Sequence, residues 1–147
     1  APKARISVLS NSTAAHRPDV RNALMRVDNN ILKLDTVDAA YIARVDRPTG
    51  AYDVERIIRA MMNFKGHVIV QTLFMKGTSM GMNVDNTSDR YVLPWIEAVK
   101  RIAPQSVMVY TIDRETPDPD LQKASPKELD GIADKLRAEG FEVEVAY

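Results

Sequence analysis

The chain has 147 residues, 45% of them hydrophobic and 27% charged, which is ordinary for one globular domain and far from the composition of a disordered chain. Twenty basic residues balance twenty acidic ones, so the charge gives no support for a nucleic-acid partner. The absence of cysteine excludes disulfides, thiolate-held zinc and an iron–sulfur cluster bound by this chain itself.

The first half of the chain alternates strand and helix patterns. Residues 5–10 (RISVLS) form a predicted strand that ends in a polar loop containing Asn11. Pro18 is placed to begin a helix that we expect to end near Asp28. A second strand follows at residues 31–35 (ILKLD), and a short helix is predicted at 39–45.

The clearest central element is a helix with Asp53 as its N-cap and Gly66 just past its end. Residues 67–75 (HVIVQTLFM) are almost continuously apolar, which predicts a parallel strand covered on both faces. Residues 76–87 hold two glycines and little periodicity, so we expect the longest irregular loop there.

The last third repeats the alternation. A helix is predicted at 88–102, followed by a strand at 105–112 and a long loop at 113–123. Ser125, Pro126 and Glu128 are in capping-box register, which indicates a strong helix start. Residues 141–146 (FEVEVA) alternate like a half-exposed edge strand.

This order predicts an α/β fold with a mainly parallel sheet in a single domain spanning residues 1–147. Ligands of such sheets bind outside the carboxyl ends of the strands. Lys33 and Asp35 lie two residues apart on one strand and therefore share a face, where an ammonium and a carboxylate could hold a zwitterionic or hydroxyl-rich ligand. A structural ion pair is the alternative, and Gln71 is equally compatible with a ligand contact or a core hydrogen bond. Arg114 follows a strand end and suits a carboxylate or phosphate, and the alternative is that residues 113–115 are a solvated run of charges.

Several short motifs, taken in order, resemble the later strands and helices of radical S-adenosylmethionine (SAM) enzymes, most closely the iron–sulfur oxidoreductases related to the wyosine-base synthetases. The match runs over essentially the whole chain, through VLSNST, ILKLDTVD, RVDRPTGAYDVERII, VIVQTLFMKG, NTSDRYVLPWIEAVKRIAP and VMVYTIDRETPD. The resemblance implies a partial (β/α)6 barrel of the TIM type, with its third to sixth strands at 5–10, 31–35, 67–75 and 105–112.

The resemblance also implies a cofactor cleft. Lys33 and Asp35 would approach the methionyl and ribose parts of SAM from the fourth strand, and Ser12 stands where a glycine is common. The other implied cofactor contacts are Asn11 after the third strand, Gln71 on the fifth and Tyr110 on the sixth.

The family's three-cysteine cluster loop and the glycine- and glutamate-bearing motif that grips the cofactor's amino group have no counterpart in this sequence. We therefore expect the C-terminal two-thirds of a radical SAM core, whose intact parent uses SAM and a 4Fe–4S cluster while this chain alone retains neither and is not catalytic. The expected partner is the missing N-terminal segment of the same protein. Without it, residues 5–10 would form an open sheet edge through which the chain could form a homodimer.

The alternative is a self-sufficient α/β module that binds a small anionic or nucleotide-like ligand. A cysteine triplet upstream of Ala1 in the full reading frame would separate the two hypotheses. No apolar run approaches the roughly 20 residues of a membrane span, so we expect a cytoplasmic protein with no membrane partner.

Overall fold

The structure is a computed structural model that describes residues 5–12, 14–45, 53–112 and 120–147. Arg114 and the first part of the predicted loop at 113–123 lie outside these ranges. The strands are β1 (Ser7–Ser10), β2 (Asn29–Lys33), β3 (Ile69–Leu73), β4 (Met75–Ser79), β5 (Met82–Asn83), β6 (Ser106–Tyr110), β7 (Leu121–Lys123) and β8 (Val143–Ala146). The helices are α1 (Pro18–Leu24), α2 (Ala39–Val45), α3 (Val54–Met62), α4 (Asp89–Ile102) and α5 (Pro126–Ala138).

The main sheet has five strands in the order β1-β2-β3-β6-β8, and every neighbouring pair is parallel. This confirms the predicted α/β class and mainly parallel sheet. Within the described residues, β1 pairs with β2 alone and β8 with β6 alone, so these two strands are the edges. None of the helices in the described ranges has the length and apolar character that crossing a membrane requires.

The two faces of this sheet differ in burial. One face packs against the helices, and its central side chains are buried: Leu32, Val70, Thr72, Val107 and Val109. The alternate positions point to the opposite face, which we call the open face. Ile69 is buried there, and the others are only half-buried: Ile31, Lys33, Gln71, Leu73, Met108 and Tyr110. Lys33 is in register with Gln71, Gln71 with Met108, and Met108 with Glu144.

The expectation that residues 67–75 form one strand covered on both faces is wrong. The strand β3 ends at Leu73, and Gln71 is half-buried on the open face. Met75 already belongs to another strand in a different sheet. The apolar run therefore spans two strands, and a continuous run of apolar residues does not reveal such a break.

The expectation of an irregular loop at 76–87 is also wrong. The strands β4 and β5 form an antiparallel hairpin there, and β7 pairs antiparallel with the other side of β4. Met80 and Gly81 both have positive φ angles, 51° and 77°, at the hairpin turn. Val84, just after β5, is buried. The hairpin is stabilised by pairing with a distant strand, so local periodicity does not predict it.

The predicted helix starts are confirmed. The side chain of Asp53 accepts a hydrogen bond from the Arg56 N–H at 3.2 Å and caps α3. Ser125 and Glu128 form the predicted reciprocal capping box at the start of α5. These satisfy backbone donors that a helix start would otherwise leave unpaired.

The end of α1 and the start of β2 differ from the prediction. The helix ends at Leu24 rather than near Asp28, and β2 begins two residues before the predicted position. The Asp28 N–H donates to Ile6 O at 2.9 Å, and the Asp28 carboxylate accepts from the Ile6 N–H at 2.6 Å. Because Asp28 is paired with the residue just before β1, it does not continue the helix.

Candidate functional site

Four of the five predicted site residues lie on the open face or at its carboxyl end. Lys33 is opposite Gln71 in register, and its Nζ lies 4.0 Å from Asp35 Oδ2. Tyr110 ends β6, one strand further along the sheet. The structure thus brings Lys33, Asp35 and Gln71 together. Asn11 lies exposed just after β1, the neighbouring edge strand.

The Asp35 carboxylate is held by the backbone of the next strand. Its Oδ1 accepts a hydrogen bond from the Leu73 N–H at 2.9 Å. Burial raises the pKa of Asp35, while the Leu73 hydrogen bond and the charge of Lys33 act in the opposite direction. At 4.0 Å the contact with Lys33 is at the outer limit of an ion pair, and the Lys33 side chain is 34% exposed. So loose a pair contributes little to stability.

We expect Asp35→Asn to stabilise the fold modestly at neutral pH. Because the pKa of Asp35 is raised on folding, the folded state binds more protons than the unfolded state between the two pKa values, and its contribution to stability falls as pH rises through that window. Asparagine keeps an oxygen for the Leu73 N–H and has no charge to desolvate. Urea unfolding should show the advantage of the variant growing as pH rises from acid to neutral. A variant less stable than wild type at neutral pH would contradict this expectation.

The carbonyl before Asp35 is fixed by two buried side chains. Leu34 O accepts hydrogen bonds from Thr72 Oγ1 at 2.8 Å and from Trp95 Nε1 at 3.0 Å. The Trp95 ring is 1% exposed and meets Phe74 edge-on, with centroids 5.2 Å apart. The end of β2 is therefore anchored to the core behind the open face.

Asn86 anchors the same region, and sequence reasoning missed it. Its side chain is 1% exposed and donates to Asp35 O at 3.1 Å and to Leu73 O at 2.9 Å. It also accepts from the Met75 N–H at 3.0 Å. In sequence it is one more polar residue in a segment rich in turn-forming types, and no local pattern distinguishes it.

Ser12 has the backbone geometry that a glycine would adopt readily. Its φ is 74°, in the left-handed region, and its side chain is buried. Ser12 Oγ donates to Lys33 O at 2.9 Å. Ser12 thus adopts a strained backbone conformation at the position where the resemblance implies a glycine. Its hydroxyl fixes the carbonyl of Lys33.

The open face offers complementary groups for a small polar ligand. Lys33 supplies an ammonium and Asp35 an acceptor oxygen. Within the part of the chain that the structure describes, neither the Gln71 amide nor the Tyr110 hydroxyl has a side-chain hydrogen bond to a protein group. Together these groups suit a carboxylate, an amine and sugar hydroxyls. Among the same described residues, no three His, Cys, Asp or Glu side chains are grouped to hold a metal ion.

Two surface clefts lie among the helices rather than at the open face. One of about 310 Å³ is lined by residues of α3 with its N-cap and by His16. The other, of about 570 Å³, lies between α4 and α5. Neither includes Lys33, Asp35 or Gln71. We place the candidate site at the open face because its polar groups converge there.

Three of the solved structures that share this fold superpose on nearly the whole chain. A radical SAM methyltransferase from Sphaerobacter thermophilus superposes with a TM-score of 0.71 at 16% identity, over 97% of this chain and 40% of its own. A domain of pyruvate-formate lyase-activating enzyme from Bacteroides vulgatus gives 0.69 at 12% identity, over 97% and 82%. SuiB of Streptococcus suis, solved with bound S-adenosylmethionine, gives 0.65 at 10% identity, over 96% and 32%. The chain therefore has a radical SAM-like fold, the partial barrel that the motifs predicted.

The sequence relatives carry no functional name. A UPF0026 protein of Helicobacter pylori is 27% identical over 111 residues, which are 73% of this chain and 33% of that protein. A UPF0026 protein of Methanocaldococcus jannaschii is 30% identical over 74 residues, which are 48% of this chain and 23% of that protein. The chain thus matches a third or less of the length of these curated relatives. No protein-family model matches it.

Proposed function

We propose that this chain is the C-terminal part of a radical SAM oxidoreductase, that it helps to hold the cofactor, and that it is inactive alone. The observation that carries the proposal is the cluster of Lys33, Asp35 and Gln71 on the open face of a sheet with a radical SAM-like fold. The other face of the same sheet is filled by the helices, so the open face is where a ligand can reach several strands at once.

The residues of the open face fit S-adenosylmethionine. The Lys33 ammonium suits the methionyl carboxylate, and the second oxygen of Asp35 suits the amino group or a ribose hydroxyl. Gln71 and Tyr110 offer further donors and acceptors along the same face, and Asn11 adds an exposed amide beside β1. In the parent enzyme, bound SAM would supply the sulfonium bond that one electron cleaves. The part of this chain is to bind and orient the cofactor.

The residues of this chain do not fit an iron–sulfur cluster. A 4Fe–4S cluster is held by cysteine thiolates, and the sequence has no cysteine. Its ligands must therefore come from another segment, which we propose belongs to the same protein. The curated relatives are long enough to contain such a segment, since this chain matches a third or less of them.

We propose that this segment pairs with the open edge of the sheet at β1. Within the described residues β1 has a partner on one side only. Ile6 and Leu9 expose 59% and 55% of their surface at this edge, and Leu9 is in register with Ile31 on the open face. A further strand would cover both side chains and pair the edge backbone. A second copy of the chain is the alternative occupant when the chain is alone.

The test compares the protein from its complete reading frame with the 147-residue chain. We expect iron, sulfide and reductive cleavage of SAM to 5′-deoxyadenosine from the complete protein only. The chain alone should have a dimeric mass at micromolar concentration, and the complete protein should not use β1 for self-association. No cluster in either preparation would refute the enzymatic proposal and leave the stand-alone binding module.

A pair of lysine variants links the activity to the open face. In the complete protein, Lys33→Met should retain its iron and weaken SAM binding about tenfold or more, the loss expected for one charge-assisted hydrogen bond. Lys127→Met, which removes an exposed lysine in the first turn of α5, is the matched control and should bind SAM as the wild type does. Equal effects of the two substitutions would argue against the open face as the cofactor site.

A further inference from the structure

Asn86 joins two distant segments of backbone at the carboxyl end of the sheet, the end of β2 and the stretch between β3 and β4. Its Nδ2 donates to Asp35 O after β2 and to Leu73 O at the end of β3, and its Oδ1 accepts from the Met75 N–H at the start of β4. The Asn86 N–H also donates to Met75 O at 3.3 Å. Both donors and the acceptor of the amide are used, which is what a side chain 1% exposed requires.

The two bonds that the Asn86 amide donates lie on either side of the hydrogen bond between Asp35 and Leu73. The Leu73 N–H donates to Asp35 Oδ1, and Asn86 holds the backbone carbonyls of both residues in that pair. The donor and the acceptor of the contact are thus fixed to the same amide group. A shift of either strand end would lengthen the contact and free the carboxylate to turn.

We propose that Asn86 is a positioning residue that keeps the Asp35 carboxylate hydrogen-bonded to Leu73 and its second oxygen toward the Lys33 ammonium, in the geometry that the cofactor meets. This inference rests on the proposed function, since it concerns the same site. Asn86 does not itself touch the ligand, because its amide is fully engaged by backbone groups.

A neighbouring asparagine makes a short-range bond for comparison. Asn83 accepts from the Asp85 N–H at 2.8 Å, only two residues away. The side-chain bonds of Asn86 span 11, 13 and 51 residues. A bond over two residues stabilises a turn. Bonds over longer distances in sequence, such as those of Asn86, fix the ends of two strands relative to each other.

The chemistry also requires an amide at this position. Two carbonyls need two donors, and the Met75 N–H needs one acceptor. An aspartate has no donor when ionised, and an alanine removes the bonds that Asn86 makes to all three backbone groups. Either substitution removes the restraint on the Asp35–Leu73 contact, but only the aspartate keeps the shape of the side chain.

Two quantities are measured separately: the pKa of Asp35 and the affinity for SAM. In the 147-residue chain, carboxyl-carbon NMR follows the titration of Asp35 in wild type, Asn86→Ala and Asn86→Ser. Losing the Leu73 N–H bond should raise the pKa of Asp35 further, because that bond favours the ionised form.

In the complete protein, SAM affinity should fall about tenfold in Asn86→Asp. Asn83→Asp adds the same charge at the end of β5, keeps an acceptor for the Asp85 N–H, and should bind as wild type does.

The outcomes separate this inference from the proposed function. A folded Asn86→Ala or Asn86→Ser chain in which Asp35 titrates as in wild type would overturn the positioning role, even if the complete protein binds SAM. If the complete wild-type protein does not bind SAM, the proposed function fails, while the Asp35 titration still decides whether Asn86 positions it. Should the alanine variant fail to fold, the serine variant, which retains one donor, decides the result.

Discussion

Replacing Trp95 with alanine is expected to lower the free energy of unfolding by about 3–5 kcal/mol, the range for removing a large aromatic side chain from a core. The ring is 1% exposed and packs edge-on against Phe74. Its Nε1 also donates to Leu34 O, directly before Asp35. The substitution therefore opens a cavity and loosens the end of β2 at the same time. Urea unfolding followed by circular dichroism measures the loss.

Trp95→Phe is the matched control, because it keeps most of the ring and removes the N–H donor. It should cost about 1 kcal/mol for the hydrogen bond, plus a smaller packing loss. Leu34 O still accepts from Thr72 and is not left unpaired. If the phenylalanine variant is as unstable as the alanine variant, the hydrogen bond rather than the packing dominates, and the expectation is wrong.

Gly77→Ala is expected to cost about 3 kcal/mol, because it combines backbone strain with a steric clash. The φ of Gly77 is 89°, and a Cβ at this position would lie 2.2 Å from Asp120 O. That carbonyl belongs to the backbone at the start of β7 and accepts a hydrogen bond from the Thr78 N–H. The alanine can be accommodated only if β4 and β7 move apart. Thermal or urea unfolding would record the loss.

Gly81→Ala separates the two contributions. Gly81 also has a positive φ, 77°, but a Cβ added there would have no atom of the described residues within 4 Å beyond its chain neighbours. Its substitution should cost only the left-handed strain, about 1 kcal/mol. Equal losses at the two glycines would show that the close approach of β4 and β7 is not what requires Gly77.

The parallel sheet was predictable because its determinants are local. Short apolar segments separated by amphipathic helices imply a βαβ order, and the four strands that the motifs placed in the barrel are neighbours in the sheet. Ser125 with Glu128 and Asp53 also carry complete capping information within a few residues. The site residues on β2, β3 and β6 followed from the strand positions, and their roles in binding stay predictions.

The second sheet was not predictable, because its pairing is not local. Met75 pairs with Lys123 across the whole of α4 and β6, and neither strand has an apolar face of its own. Asn86 was missed for the same reason, since its partners are brought to it only by this pairing and by the end of β2. Ser12 is a different case: the resemblance marked its position as unusual, and the left-handed φ is the physical reason.

The register of the open face fixes a spacing that loops cannot alter. Lys33, Gln71, Met108 and Glu144 lie in one row across four parallel strands. With neighbouring strands about 4.8 Å apart, the row is about 14 Å long and runs from an ammonium to a carboxylate. Its spacing is set by backbone hydrogen bonds, so insertions in the connecting loops leave it unchanged. The loops can thus vary in length and sequence while the distances along this row stay constant.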